Sequence, residues 1–382
     1  MFEIIKHKPN SVRTKHWDIN ATWNLGCTYN LIFGQRGNGK TYGWKQKAIE
    51  LFAKNGTETA LIRRNLEDFK SNRATGLFDD IVANGVVAKY TKNKYDRVVY
   101  KSRQWFFAKW DEKEKKMIKA ERPFCHAFSL SAWEHDKSSS YPYIDFIVFE
   151  EFITKDVIDD YEEYWTFKQT VSTIVRDRVP SKIYLIGNTV NTDSGYFENM
   201  NVSNVHNMKI GEIDRYTFTN KDGQVLKIAC EWTEPTETQD SKILFDFDND
   251  VRSNMMTEGA WQIPDYPHLD IEYDRKDVLF TYYIIWRNTT IQCDIIFKND
   301  MYFTFIHKKK VPLTQKQIYN EVIYSKDYSI RPNHFRYINQ PRSNLQSKIW
   351  SFFDNDRVLY STNKIGDMVD NYIKWCRANS RF

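Results

Sequence analysis

Apolar residues fall along this chain in short runs broken by polar stretches, and their spacing predicts the elements. Tyr29-Asn30-Leu31-Ile32-Phe33 reads as a short buried strand, and Thr41 to Lys54 carries a helical spacing that Asn55-Gly56 stops. Thr57 to Ile62 predicts a second strand ending at Arg63-Arg64. From Val86 to about Leu130 the period shortens. Val86–Tyr90, Arg97–Tyr100, Trp105–Trp110 and Phe124–Phe128 alternate as hairpin strands do, around a mixed-charge turn at Asp111–Lys116. Ile144–Phe149 is a hydrophobic strand closed by Glu150-Glu151. Asp156 to Val175 reads as a helical stretch, and Lys182–Asn188 as another buried strand with a polar end.

Beyond residue 230 the pattern changes again. Glu231 to Gly259, with Pro235 and several acids, reads as a helical linker or subdomain. Strands return at Val278–Trp286, Thr290–Phe297 and Met301–Ile306, with Asn299-Asp300 as a hairpin turn between the last two. Leu345 to Cys376 looks like mixed helices with a strand between them. Three antiparallel strands followed by α/β elements suggest a ribonuclease-H-like fold.

One stretch supplies the chemistry. Gly34-Gln35-Arg36-Gly37-Asn38-Gly39-Lys40-Thr41 fits G-x-x-x-x-G-K-[ST] at every fixed position, between a predicted strand and a predicted helix. Its glycines let backbone N–H groups turn toward phosphate oxygens, Lys40 reaches the β/γ-phosphates, and the Thr41 hydroxyl can ligate Mg²⁺. A phosphate would sit on a helix N-terminus, where dipole and free N–H groups favour an anion. Glu150 and Glu151 close a strand roughly a hundred residues downstream, the position at which a phosphate-loop ATPase carries one acid for Mg²⁺ and one for the attacking water. In additional-strand ATPases a polar residue like Asn188 senses the γ-phosphate. Arg176 and Arg178 just precede that strand, where ring ATPases carry an arginine that reaches the next subunit's nucleotide; the plainer reading is helix C-terminal arginines facing the dipole. Arg63-Arg64, at the exit of a strand, either meets phosphate or a neighbouring subunit or is simply solvated.

Composition narrows the class. The 382 residues suffice for two or three domains, and 41% hydrophobic with 16% aromatic residues can fill sizeable cores. A net charge of +5 permits contact with nucleic acid without requiring it. Cys27, Cys125, Cys230, Cys293 and Cys376 form no C-x-x-C pair and read as reduced thiols in a cytoplasmic protein, with no zinc site. The N-terminus lacks a signal-peptide core and no run approaches a membrane span. Asp294 and Asp300 lie on the C-terminal strands without assembling the acid cluster a nuclease needs, so a nuclease-like shell without catalysis is preferred. Lys308, Lys309 and Lys310 are candidate DNA contacts or a solvated run.

Taken in order, Gly34–Thr41, the Leu130–Trp133, Lys137-Ser138 and Tyr141-Pro142 block, Ile147–Ile153 and Ile186-Gly187-Asn188 resemble the φ29-type phage DNA-packaging ATPases, or encapsidation proteins, small relatives of the terminase large subunit. The W-x-x-x-K-S-x-x-Y-P block and I-V-F-acid-acid-F-I strand carry the resemblance, over roughly residues 20 to 200. It implies an α/β chain: an additional-strand (RecA-like) P-loop ATPase domain at 1–230 with a β-hairpin lid insertion at about 86–130, a linker subdomain at 231–265, and a vestigial ribonuclease-H-like, nucleic-acid-binding domain at 266–382. It implies ATP and Mg²⁺, double-stranded DNA, the portal of a procapsid, a packaging RNA as candidate partner, and a homo-oligomeric ring, in the family a pentamer, acting in the host cytoplasm and transiently on the procapsid. Position by position, residues 34–41 and Asn188 bind nucleotide, Thr41 and Glu150 hold the metal, Glu151 orients water, Arg176 is the arginine finger and Lys137 a lid lysine facing the neighbouring nucleotide. Glu150 departs from the family's Asp, and the stretch from Lys92 to Lys119 is longer than expected. The rivals are a packaging terminase with an active C-terminal nuclease, a P-loop kinase acting on a small molecule, and a scaffold with a decayed nucleotide site.

Overall fold

A computed structural model of the chain describes residues 2–6, 16–136, 140–154, 160–176, 178, 182–191, 193–235, 261, 263–287, 289–327 and 329–380. The described residues form two compact units, the first made of those up to 235 and 261 apart from 160, 191, 193 and 194, the second of those four and the described residues from 263 to 380.

The first unit is built on an eleven-stranded sheet. In chain order its strands are β1 (Phe2–Lys6), β2 (Tyr29–Gly34), β3 (Glu58–Arg63), β4 (Arg97–Lys101), β5 (Gln104–Asp111), β6 (Lys116–Lys119), β7 (Cys125–Ser129), β8 (Ile144–Glu150), β9 (Lys182–Asn188), β10 (Glu212–Thr219) and β11 (Val225–Trp232). They lie in the order β1-β10-β11-β2-β9-β8-β3-β7-β5-β4, with β6 paired to β5, and the run from β11 through β7 is parallel throughout. Parallel strands are covered on both faces, which is why Leu31-Ile32-Phe33 and Phe146–Phe149 are continuous apolar runs without exposed positions. Helix α1 (Lys40–Asn55) follows β2 and turns Trp44, Ala48 and Ile49 onto the sheet, against Ile32, Leu61, Phe78 and Phe146. Gly56, at φ 73°, ends it by donating its N–H to the Phe52 carbonyl at 2.9 Å. Helix α2 (Asp160–Val175) connects β8 to β9.

Three expectations are corrected here. Val86–Tyr90 is a helical turn following Gly85, with Val86 and Val87 buried; a five-residue apolar run has no period of its own, and packing beside α1 selects the helix. Cys125–Ser129 is a parallel strand of the main sheet beside β3, and β4–β6 extend that sheet's edge, so the 86–130 stretch is continuous with the core sheet. Glu231-Trp232 close β11 and belong to the first unit's sheet, not to a helical linker; residues 236–260 of that linker lie outside the described residues.

In the second unit β12 (Val278–Trp286), β13 (Thr289–Lys298) and β14 (Met301–Lys308) form an antiparallel meander, with the turn at Asn299-Asp300 as expected. β15 (Ile323–Ser325), β16 (His334–Phe335) and β17 (Val358–Tyr360) complete a six-stranded sheet ordered β16-β15-β12-β13-β14-β17. Helices α3 (Asn344–Asp354) and α4 (Asn363–Asn379) start at Ser343 and Thr362, whose hydroxyls accept the backbone N–H groups of Gln346 and Ile365. α4 packs Met368, Val369, Tyr372 and Trp375 into the core with Tyr282, Ile284 and Trp286.

Candidate nucleotide site

The loop that leaves β2 turns on three glycines, with φ at Gly37 84° and at Gly39 92°, values that side chains resist. Gly34 is needed for a different reason: a Cβ there would stand 2.0 Å from Thr233 Oγ1. Arg36 and Gly37 face solvent, Gln35 and Lys40 are buried, and Asn38 is fully so. The Lys40 ammonium is folded back onto the loop, donating to the Gln35 carbonyl at 2.6 Å and to Asn38 Oδ1 at 3.0 Å. Burial pushes Lys40 down to about 7, against the pull of nearby Glu231. Glu231 is itself pushed up to about 7 by burial, eased by the hydrogen bond it accepts from Trp17 Nε1 at 3.0 Å. Thr41 is exposed on the first turn of α1.

The sheet brings the other predicted residues to this edge. β9 lies between β2 and β8, and Asn188 is the register partner of Gly34. Glu150, at the end of β8, is buried, and both of its oxygens are engaged: Oε1 accepts from Trp44 Nε1 at 2.8 Å and Oε2 from Arg63 Nη2 at 2.5 Å. Trp44 lies one turn beyond Lys40, so this bond ties the loop helix to the acid strand. Glu151 is exposed and left-handed at φ 61°, a conformation that costs a non-glycine residue of order 1 kcal/mol or more and clusters at functional sites. Its turn is fixed from both sides: the Glu151 N–H donates to the Ile186 carbonyl at 2.7 Å, and Arg64 donates to the carbonyls of Glu151 and Phe152 while pairing with Glu163 at 2.8 Å. Thus Arg63 and Arg64 are half-buried, and each is bonded inside the first unit.

Not every predicted residue joins this cluster. Arg176 is exposed just past α2, at the end of the sheet where β9 begins, about 20 Å of strand away from the loop edge. Arg178 there donates to the carbonyls of Tyr141 at 2.7 Å and of Pro142 and Ile144 at 3.0 Å, clasping the chain entering β8. Lys137 lies outside the described residues. In the second unit Lys308 and Lys310 are exposed, and the Lys309 ammonium lies 5.7 Å from the centre of the Tyr283 ring. Asp294 is buried and accepts from Thr281 at 2.7 Å, Gln292 at 3.1 Å and His307 at 3.1 Å. Burial raises its carboxyl, and these hydrogen bonds outweigh that and hold it below the usual range. Asp300 is a turn residue. Among the described residues no group of three or more His, Cys, Asp or Glu could hold a metal, and no helix is long and apolar enough to cross a membrane.

Trp17, Trp44, Glu231 and Thr233 enter the site without a motif to announce them, and Arg63, expected at phosphate or a neighbouring subunit or in solvent, is instead the partner of Glu150. Trp44 has a signal, one turn after Lys40 on the same helix; Glu231 has another, a lone acid inside an apolar strand. Hydroxyl and carboxylate oxygens such as those of Thr41 and Glu150 are the donor type that a hard divalent cation takes, although both Glu150 oxygens here are held by Trp44 and Arg63. A lysine-bearing loop at the start of a helix is the type that receives phosphate.

The sequence profile of the podovirus DNA encapsidation protein (Gp16) family matches residues 20–360. The DNA packaging protein of Bacillus phage PZA is 23% identical over 268 residues, covering 69% of this chain and 70% of that protein. That of Bacillus phage B103 is 29% identical over 171 residues, covering 44% of this chain and 46% of that protein. Among solved structures, a chain of the bacteriophage Phi-29 viral genome packaging motor assembly superposes with a TM-score of 0.55 at 19% identity, over 95% of this chain and 100% of that one, a likeness of fold.

Proposed function

The chain belongs to the podovirus DNA-encapsidation family and is a phage DNA-packaging protein, and from that premise we propose that it is the ATPase motor that drives double-stranded DNA into a procapsid. The observation that carries this reading is the register of the central sheet. β9 between the loop strand and the acid strand, with Asn188 beside Gly34 and the Glu151 N–H donating to the Ile186 carbonyl, supports the additional-strand ATPase reading.

ATP binds at Gly34–Thr41. Lys40 leaves the Gln35 carbonyl and Asn38 for the β/γ-phosphates, where the charge-assisted bond is stronger. When bound, Mg²⁺ held by Thr41 and Glu150 supplies charge neutralisation at those phosphates. The exposed Glu151 carboxylate, aimed by its left-handed turn, orients the attacking water and accepts its proton. Asn188 reads the γ-phosphate. Arg176 is remote from its own loop, which suits a finger acting on the next subunit of a ring, and Lys137 is read as the lid lysine that helps complete that neighbour's site. The β4–β6 edge is the candidate lid. The second unit's meander β12–β14, with β15 beside β12, supports reading it as a vestigial ribonuclease-H-like domain that binds nucleic acid, with Lys308–Lys310 as phosphate contacts. Such contacts ignore base sequence, as a motor must. The portal, a packaging RNA and further copies of the chain are the partners this role implies, in the infected host cell.

The test is ATP hydrolysis with and without double-stranded DNA, in the presence and absence of procapsids. Stimulation by DNA is expected, and a rate indifferent to DNA sinks the motor. Mixing Arg176→Ala with Lys40→Ala subunits tests the finger: some activity returns if Arg176 acts in trans, and none at any ratio rejects it.

A further inference from the structure

The phosphate loop is gripped from outside by two segments that do not belong to the motif. On one side the Trp17 N–H donates to the Asn38 carbonyl at 2.8 Å. On the other, Asn38 Nδ2 donates to Thr233 Oγ1 at 2.5 Å, just past the end of β11. Thr233 is itself fixed, its N–H and its hydroxyl both donating to the Phe33 carbonyl, at 2.8 Å and 3.2 Å. The first glycine of the motif exists to admit this residue, since a Cβ at Gly34 would collide with the Thr233 hydroxyl. A continuous buried chain therefore runs from the Lys40 ammonium through the Asn38 amide to the Thr233 hydroxyl and the Phe33 carbonyl. In such a chain each bond polarises the next, and a cation at its head strengthens them all.

The head of the chain is also the group that a nucleotide claims. Phosphate oxygens outcompete an amide oxygen for an ammonium. Loading the loop takes Lys40 from Asn38 Oδ1, leaves a fully buried acceptor without its donor, and obliges the amide to reorient. We propose that Thr233 is a positioning residue that holds the empty loop through Asn38 and lets go when a nucleoside triphosphate takes Lys40, so that loop occupancy is passed to the chain leaving β11 after Glu234. This rests on the loop being an ATP site.

The sign of one substitution decides the matter. Thr233→Val keeps the shape against Gly34 and removes the hydroxyl. An interaction made only in the empty state, once removed, raises affinity, whereas a support used in both states lowers affinity or leaves it alone. Titration of the full chain with Mg²⁺ and a non-hydrolysable ATP analogue should show the Val variant binding about two- to ten-fold more tightly, the ratio set by one ordinary hydrogen bond, and Thr233→Ser binding as wild type. Equal or weaker binding by the Val variant overturns the inference. If Thr233→Val does not fold, the wild type alone still decides. Amide exchange over Glu231–Glu234 must quicken when the analogue is added, and unchanged or slower exchange overturns the proposal. A wild-type chain that binds no nucleotide overturns the ATP-site reading as well, and is recognised by the absence of any binding signal.

Discussion

Each unit buries an acid on a sheet strand, and the two are treated in opposite ways. Asp294 sits in the middle of an antiparallel strand, directly opposite Thr281, and its bonds come mainly from its own sheet: Thr281, Gln292 on its own strand and His307 on β14, with a longer one from the Tyr273 hydroxyl at 3.4 Å. The sheet closes over it, and the carboxylate is an element of structure. Glu150 ends a parallel strand, and its donors come from two different elements, Trp44 on the loop helix and Arg63 at the end of β3. The next residue, Glu151, is forced into an unfavourable turn and left in solvent. Where strands run parallel, all their carboxyl ends and the loops that follow lie on one edge, so an acid there can meet a ligand. In an antiparallel meander the mid-strand acid meets only its neighbours. The difference between the units is therefore one of access, and burial alone does not set a catalytic acid apart.

The widest separation should appear in activity. Glu151→Gln removes the proton acceptor and should lower DNA-stimulated ATP hydrolysis about 10²–10⁴-fold, the usual range for a general base. Asp294→Asn should leave hydrolysis within about two-fold, because a surface that merely holds a sheet together does not touch the chemistry. A large loss of hydrolysis in the Asn variant would erase the contrast between the two acids.

The next effect is on stability at the loop edge. Arg63→Ala leaves Glu150 buried with Trp44 as its remaining hydrogen-bond donor. Breaking a buried ion pair from one side typically costs about 3–5 kcal/mol, and since Arg63 is partly exposed, about 2–3 kcal/mol is expected in denaturant unfolding. A change under about 0.5 kcal/mol would mean that Glu150 is comfortable without its arginine, and that it is held as loosely as a surface acid.

How much of this can be read from residues alone follows from the same contrast. The loop, the acid pair and Asn188 are legible because each is a local pattern: a fixed spacing, or a polar end on an apolar run. The antiparallel strands β12–β14 are legible too, through their lengths and the turn at Asn299-Asp300. What is not legible is held by long-range pairing. Thr233 lies 195 residues from Asn38 and Arg63 lies 87 from Glu150, and no period or spacing links them. Val86–Tyr90 has too few residues to declare a period, so its neighbour α1 decides. Phe124–Phe128 carries a strand signal, but nothing local says whether its partner is the preceding hairpin or β3. The terminal hairpin β10–β11 goes unread for a related cause: its exposed Val225 and Leu226 and its buried Asp214 and Glu231 blur the alternation.

The smallest expected effect separates the units by pH. Glu231, raised to about 7 from an ordinary value near 4.5, is neutral in the fold over a range in which the unfolded chain is already ionised. Such a group does not penalise folding below the unfolded value. The penalty grows as pH rises and is complete once pH passes the folded value, so Glu231→Gln should stabilise the chain at pH 8 and make no difference near pH 4. The raised value already includes Lys40's attraction, so the effect at pH 8 is on the order of 1–3 kcal/mol. Asp294 has the opposite sign. Its carboxyl is held below the usual range, so it stabilises the fold above the ordinary carboxylate value, and that contribution is lost as pH falls through its lowered folded value. Asp294→Asn should therefore destabilise at pH 7 and lose its effect only below the ordinary carboxylate value, while Glu231→Gln gains with pH above it. Unfolding between pH 2 and 8 should show Glu231→Gln rising above wild type from pH 4 upward, and Asp294→Asn lying below wild type by a steady amount above pH 4 and rejoining it in stronger acid. Parallel curves would show that the acid behind the phosphate loop is as well satisfied as the one in the meander, and that the strain at this edge resides in the Glu151 turn alone.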